Sequence, residues 1–255
     1  MIIDILRTVV GGGDATEILM RFLVRIFVIL CVLPVHEFAH AWVADKLGDK
    51  TARLQGRLTL SPFAHIHTLG AVMMLLCGFG YAKPVPVNMR NFRKKRKDNN
   101  SNIYQFGSDT VYDSGHAKRC MAAVALAGPL SNIIMAIISL VLFIVSNVVI
   151  KSVVNAQETV ALLSKVIDYF FLFCAIINVN LAVFNLIPIP PLDGSRIISV
   201  ILPDKIYFKI MKYERFIMIG LIVLLFTGVL TIPLSIVSDL VLAVFNIVKS
   251  LIFAL

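Results

Sequence analysis

Charge is scarce in this sequence. Only 15% of its 255 residues are Asp, Glu, Lys or Arg, and glutamate occurs at just four positions, 17, 37, 158 and 214. An ordinary soluble domain carries more charge and rarely several long uncharged runs, so that class is excluded. Cysteine is equally thin. Cys31, Cys77, Cys120 and Cys174 lie in or beside apolar segments without C-x-x-C spacing, which excludes a disulfide framework or a thiolate metal site and leaves them as small hydrophobes. There is no internal repeat, no domain-sized soluble insertion and no appended regulatory module. The expectation is a single membrane-embedded domain over residues 1–255. No cleavable signal is expected either, since residues 1–17 hold Asp4, Asp14 and Glu17 where a basic lead and an apolar core would stand.

What the chain does have is hydrocarbon. It is 58% apolar with a mean hydropathy of +0.88. A helix needs roughly 20 apolar residues to cross a bilayer. Segments near 18–44, 120–150, 160–187 and 216–255 qualify, and the last is long enough for two spans broken around Thr231-Ile232-Pro233. LGAVMMLLCGFGYA (69–82) is too short for a comfortable span, and its glycines suit a re-entrant or broken helix. The fold class read from this is an all-α polytopic membrane protein. It has about five to six transmembrane helices, a re-entrant segment and a short β-strand or hairpin element. The motif-bearing core covers about 18–200, with C-terminal helices at about 214–255 as scaffold.

The net charge of +9 is unevenly placed. With the spans threaded alternately and 69–82 returning to its own side, one face receives residues 45–68, 83–119 and 188–215, which hold 18 of the 24 Lys and Arg residues. The positive-inside rule makes that face cytoplasmic and the N-terminus external. RNFRKKRKD (90–98) has no helix-turn-helix partner, so it reads as a topology signal and lipid-headgroup contact, not a nucleic-acid site.

Against this background VLPVHEFAHAWVADKLG (32–48) stands out, because it buries two histidines and a glutamate in an apolar run. His36-Glu37-Phe38-Ala39-His40 is H-E-x-x-H. On a helix, positions i and i+4 share a face, so both imidazoles can reach one zinc ion, with Glu37 beside them as general base for a metal-polarised water. Ionisable groups at membrane depth are expensive and functional by default. A catalytic zinc takes three protein ligands. A third histidine six residues on is absent, since Val43 and Lys46 fill the required Gly and His positions, and the next glutamate is Glu158. Three aspartates near apolar segments remain: Asp168, Asp193 and Asp239. Asp193 has the best context. It follows a span broken by Pro188, Pro190 and Pro191, precedes Gly194, and lies at the end that threading brings to the side of His36 and His40.

H-E-F-A-H, G-P-L-S-N (128–132) and N-L-I-P-I-P-P-L-D-G (185–194), in that order, resemble the site-2 proteases, the intramembrane zinc metalloproteases. The resemblance covers most of 30–200 and is to a minimal form without PDZ or CBS modules. It implies one zinc held by His36, His40 and Asp193, with Glu37 polarising the water. It also implies a substrate that is a single-span membrane protein cut within or beside its membrane helix. Asn132 and Asn185 are candidate oxyanion or substrate donors, set against plain helix–helix hydrogen bonding. In AKPVPVN (82–88) the missing donors of Pro84 and Pro86 fall on one strand edge. Val85 and Val87 keep the other edge for an extended peptide, and a hairpin within the enzyme is the alternative. His65 and His67 read as capping or gating groups. Two other classes remain, a metal-ion transporter and a non-catalytic scaffold binding membrane helices.

Overall fold

Proline shapes the first span. In the computed structural model, which describes residues 22–77, 82–95, 110–153, 158–227, 229 and 231–254, α1 runs Phe22–Lys46 and carries Pro34 in its interior. A mid-helix proline lacks the N–H for the carbonyl four residues back and crowds it. The turn just before it, Val28–Val32, is a π turn in which Leu33 N–H reaches Val28 O, and this wider turn gives the ring room. α1 is followed by the short helices α2 (Thr51–Leu54) and α3 (Pro62–His65), then α4 (Thr68–Cys77). A two-strand antiparallel ladder joins β1 (Arg93–Lys95) to β2 (Thr110–Tyr112). Then come α5 (Ser114–Val153), α6 (Glu158–Leu186), α7 (Asp193–Ile198), α8 (Asp204–Lys212), α9 (Glu214–Thr227) and α10 (Thr231–Ala254).

Among the described residues four helical stretches are long and apolar enough to cross a membrane: Phe22–Lys46, Ser114–Val149, Val166–Leu186 and Leu234–Ile252. α9, with 14 residues, rises only about 21 Å. α5 is far longer than the 120–150 segment expected, 40 residues or about 60 Å. Its first turn, Ser114 to Arg119, is polar and capped by Asp113, whose Oδ1 accepts from Gly115 N and His116 N, so hydropathy does not mark it. The expected break around Thr231-Ile232-Pro233 falls at the start of α10, with Pro233 in its first turn, where no N–H is missed.

The helices are inside-out by soluble standards. α5 exposes Leu130, Ile134, Ile137, Val141 and Val145 while burying Ser131, Asn132, Ser139 and Asn147. Such a face suits lipid; among the buried polar groups Asn147 reaches across to Asp168 of α6, while Ser131 and Ser139 return to carbonyls of α5 itself. α5 packs against α1 on one side and α6 on the other. Ala136 and Phe143 of α5 meet Ala175 of α6 and Phe245 of α10. α4 lies against α1 and α6 through Val24, Val28, Met74 and Cys174. Arg25, buried in α1, donates to Leu75 O at 2.9 Å, satisfying one of the carbonyls that every helix C-terminus leaves open. α4 is the described part of the expected re-entrant segment, and residues 78–81 lie outside the description, as do 1–21 and residues 96–98 of the basic run.

A polar knot fixes the far end of α1. The helix stops at Gly48, whose φ of 107° is left-handed and therefore natural for glycine. Asp45 pairs with Arg53 at 2.6 Å and Lys50 at 3.1 Å. Fully buried Asp49 accepts from Thr51 Oγ1 at 2.5 Å, Asn88 N at 2.7 Å and Asn91 Nδ2 at 2.7 Å. Burial alone pushes that carboxyl up, but the donors outweigh it and hold the group below the usual carboxylate range. The knot ties residues 88–91 to α1. The stretch before them corrects an expectation: 82–88 runs without a ladder and is not a strand. Pro84 and Pro86 offer no donors, and the amides of Val85 and Asn88 go to the side chains of Glu37 and Asp49.

Candidate metal centre

Two turns of α1 and one loop build the site. His36 and His40, one helical turn apart, cross with ring centroids 4.7 Å apart and planes at 87°. Both are buried. His40 Nδ1 lies 2.7 Å from Val124 O of α5. A carbonyl only accepts, so Nδ1 carries the proton and Nε2 turns a lone pair toward His36. The third group arrives from the broken end of α6. After Leu186 the Pro188, Pro190 and Pro191 loop turns back, and α7 opens with Asp193. A Cβ on Gly194 would run into the Leu186 and Ile187 carbonyls, so only glycine lets α7 fold this tightly against the end of α6.

Asp193 Oδ2 lies 3.3 Å from His36 Nε2 and 3.3 Å from His40 Nε2, and the two Nε2 atoms are 3.1 Å apart. Three electron-rich atoms converge with too few protons among them. Asp193 Oδ2 and His36 Nδ1 are buried without a hydrogen-bond partner. For a tetrahedral ion about 2.05 Å from each donor, the ligand–ligand edge is about 3.3 Å. The observed triangle has that edge, and this chemistry of two imidazoles and one carboxylate is a zinc donor set. Among the described residues no other group of three His, Cys, Asp or Glu side chains converges in this way.

α5 closes the site from one side. Gly128 faces the pair so closely that a Cβ would overlap His40 Nε2 and the His36 ring. Gly128→Ala should therefore push the imidazoles apart, lowering zinc affinity by at least about tenfold with helical circular dichroism unchanged; zinc titration checks it. Val124, Gly128 and Asn132 stand at successive i+4 positions on this helix, hence on one face. Asn132 is 1% exposed, and neither of its amide atoms has a hydrogen-bond partner. Asn185 is half-buried at the penultimate position of α6. Glu37 turns to the other side, where its Oε2 accepts from Val85 N at 3.0 Å. Val85 is buried against Ala41 and Ala52, and half-buried Val87 packs beside it.

Sequence similarity agrees with the geometry. The profile described as Peptidase family M50 matches residues 24–227. The chain belongs to peptidase family M50, the site-2 proteases. As such it is a multi-pass membrane metalloendopeptidase. It is 36% identical over 209 residues to "Putative zinc metalloprotease YwhC" of Bacillus subtilis (strain 168), covering 82% of each chain. It is 27% identical over 173 residues to "Putative zinc metalloprotease Rip2" of Mycolicibacterium smegmatis, covering 65% of this chain and 52% of that one. No solved structure matches.

The other candidates in this M50 peptidase lie elsewhere. Asp168 accepts from Lys249 Nζ at 2.6 Å and Asn147 Nδ2 at 2.7 Å, joining α6 to α10 and α5. Asp239 is exposed on α10. His65 is buried, with Nε2 on Thr59 O at 2.8 Å, while its own carbonyl accepts from Lys83 N; His67 is exposed. Three features escaped sequence reasoning. The Val124 carbonyl is a backbone atom that no pattern marks. Gly128 gave its signal within G-P-L-S-N, though not its reason. The Val85 amide on Glu37 was visible only as a strand edge.

Proposed function

We propose that this M50 peptidase is an intramembrane zinc-dependent endopeptidase that cuts transmembrane or juxtamembrane segments of single-span membrane proteins. One zinc per chain is held by His36, His40 and Asp193. The observation carrying this reading is the triangle of Nε2, Nε2 and Oδ2 atoms at 3.1 to 3.3 Å, the edge of a tetrahedral site. When bound, zinc supplies Lewis acidity that brings the pKa of a water toward about 7. Glu37 takes the proton of the attacking water and returns it to the leaving amine. The Val124 carbonyl holds His40 in the tautomer whose Nε2 faces Asp193. Asn132, buried with an unused amide on the α5 face that carries Gly128, donates to the developing oxyanion or to the substrate backbone, and Asn185 is a second donor. Val87, beside the amide that reaches Glu37, offers its own backbone to an unwound substrate.

Depth and orientation fit the same reading. Trp42 is half-exposed near the end of α1, with Lys46 Nζ 5.7 Å from its ring centroid, an interfacial pairing. Along the helix His40 then lies about 3 Å and His36 about 9 Å below that level. The basic loops beyond Trp42 favour a cytoplasmic setting for this side and an external N-terminus, and five to six spans in all belong to the same proposal. The domain is single, with α9 and α10 as scaffold.

The test is cleavage of a liposome-reconstituted reporter bearing one apolar span of about 20 residues, helix-broken near its cytoplasmic end. Chelation should abolish cleavage, and stoichiometric zinc should restore it. Activity that survives complete removal of metal overturns the proposal.

A further inference from the structure

A buried arginine outside the spans has no part in the chemistry above. Arg57 is 7% exposed. It follows Gly56, whose left-handed φ of 66° turns the chain back toward residues 83–85. A guanidinium taken out of water needs acceptors. Arg57 NH2 finds two carbonyls, Lys83 O at 2.5 Å and Pro84 O at 3.2 Å. Pro84 O belongs to the same peptide group as Val85 N, which donates to Glu37 Oε2 at 3.0 Å. Among the described residues the one cis peptide bond is Pro190-Pro191, so the Pro84–Val85 bond is trans and its C=O and N–H point in opposite directions. One rigid plane is gripped at both ends, by a cation at its oxygen and by the Glu37 carboxylate at its nitrogen. Rotating that plane would break both bonds together. A cation at the oxygen also polarises the amide and strengthens the N–H it offers.

We infer that Arg57 is a positioning residue for Glu37, acting through the Pro84–Val85 peptide group. Pro84 and Pro86 fit this role, since they restrict the backbone on either side of the one amide that reaches Glu37. His65 assists from the other side, its carbonyl accepting from Lys83 N at 2.8 Å. The peptide therefore serves as a fixed bridge between a buried positive charge and the carboxylate that moves the proton. The inference rests on Glu37 being that carboxylate.

The experiment is a double-mutant cycle on the reconstituted full chain with the single-span reporter. Arg57→Met should lower kcat by about 10- to 100-fold, as loss of alignment does. KM should stay within about twofold and zinc content should hold. Arg57→Lys, which keeps the cation, should recover part of the loss. Val85→Pro removes the bridging N–H along with the buried side chain and should match Arg57→Met, whereas Val85→Ala trims that side chain but keeps the amide and should lose less. The double variant Arg57→Met/Val85→Pro should be no worse than the poorer single one. A substrate-free arm follows hydrogen exchange at the Val85 amide, which should quicken in Arg57→Met. Fully additive losses, a raised KM with kcat intact, or unchanged Val85 exchange would overturn the inference. Cleavage surviving in Glu37→Gln would instead strike the role assigned to Glu37 itself.

Discussion

Glu37→Gln should cut reporter cleavage by about 10²- to 10⁴-fold, the usual contribution of a positioned general base, while zinc stays at about one ion per chain. The amide matches the carboxylate in shape, and its oxygen can still accept from Val85 N, so the surrounding contacts survive. What disappears is the ability to take and return a proton. Of the ionisable groups at the site, His36, His40 and Asp193 have their facing atoms committed to one another within 3.3 Å. Only Glu37 is turned aside from that triangle. The measurement is kcat with parallel metal analysis. The same variant separates the M50 reading from the other two classes: a transporter would largely keep its flux and a scaffold its binding. Unchanged cleavage would require a different base.

The parts of this protein that could be read in advance are those where expense marks function. Histidines and a glutamate in hydrocarbon, and an aspartate after clustered prolines, announce themselves because burying them without purpose costs too much. Asp193 does meet His36 and His40. Apolar run length likewise located α5, which contains 120–150, and α6, which covers 160–187 up to Leu186. It missed the polar start of α5 at Ser114, where a capping aspartate and not hydropathy sets the boundary. The failure at 82–88 is of another kind. Alternating Pro and Val predict a strand, but 82–88 joins no ladder, because strand pairing depends on which partner is nearest in space. Here the partners are the Glu37 and Asp49 carboxylates. Backbone acceptors such as Val124 O carry no side-chain signature at all. The rule is physical: side-chain chemistry shows in a sequence, whereas close approach and backbone hydrogen bonding appear only once helices are packed.

Asp193→Ala should remove zinc from the purified enzyme, and Asp168→Ala should not. Both aspartates end up buried or half-buried beside cationic or imidazole partners, so burial alone does not tell them apart. Their partners do. Asp168 has one oxygen on Lys249 and the other on Asn147, an arrangement that ties α6 to α10 and α5, and among the described residues it belongs to no converging group of three metal-ligating side chains. Its loss should be felt as stability. Because Lys249 is 46% exposed, the cost should stay near about 1 kcal/mol, not the larger figure for a fully buried pair. Asp193 Oδ2 has no hydrogen-bond donor and points at two imidazole nitrogens. Deleting it leaves a two-histidine site, short of the three protein ligands of a catalytic zinc. Metal analysis should therefore fall from about one ion per chain toward zero in Asp193→Ala. Thermal unfolding of Asp168→Ala should come a few degrees early with its zinc intact. The reverse pattern, zinc kept without Asp193 and lost without Asp168, would move the third ligand to the other end of α6 and dismantle the site described here.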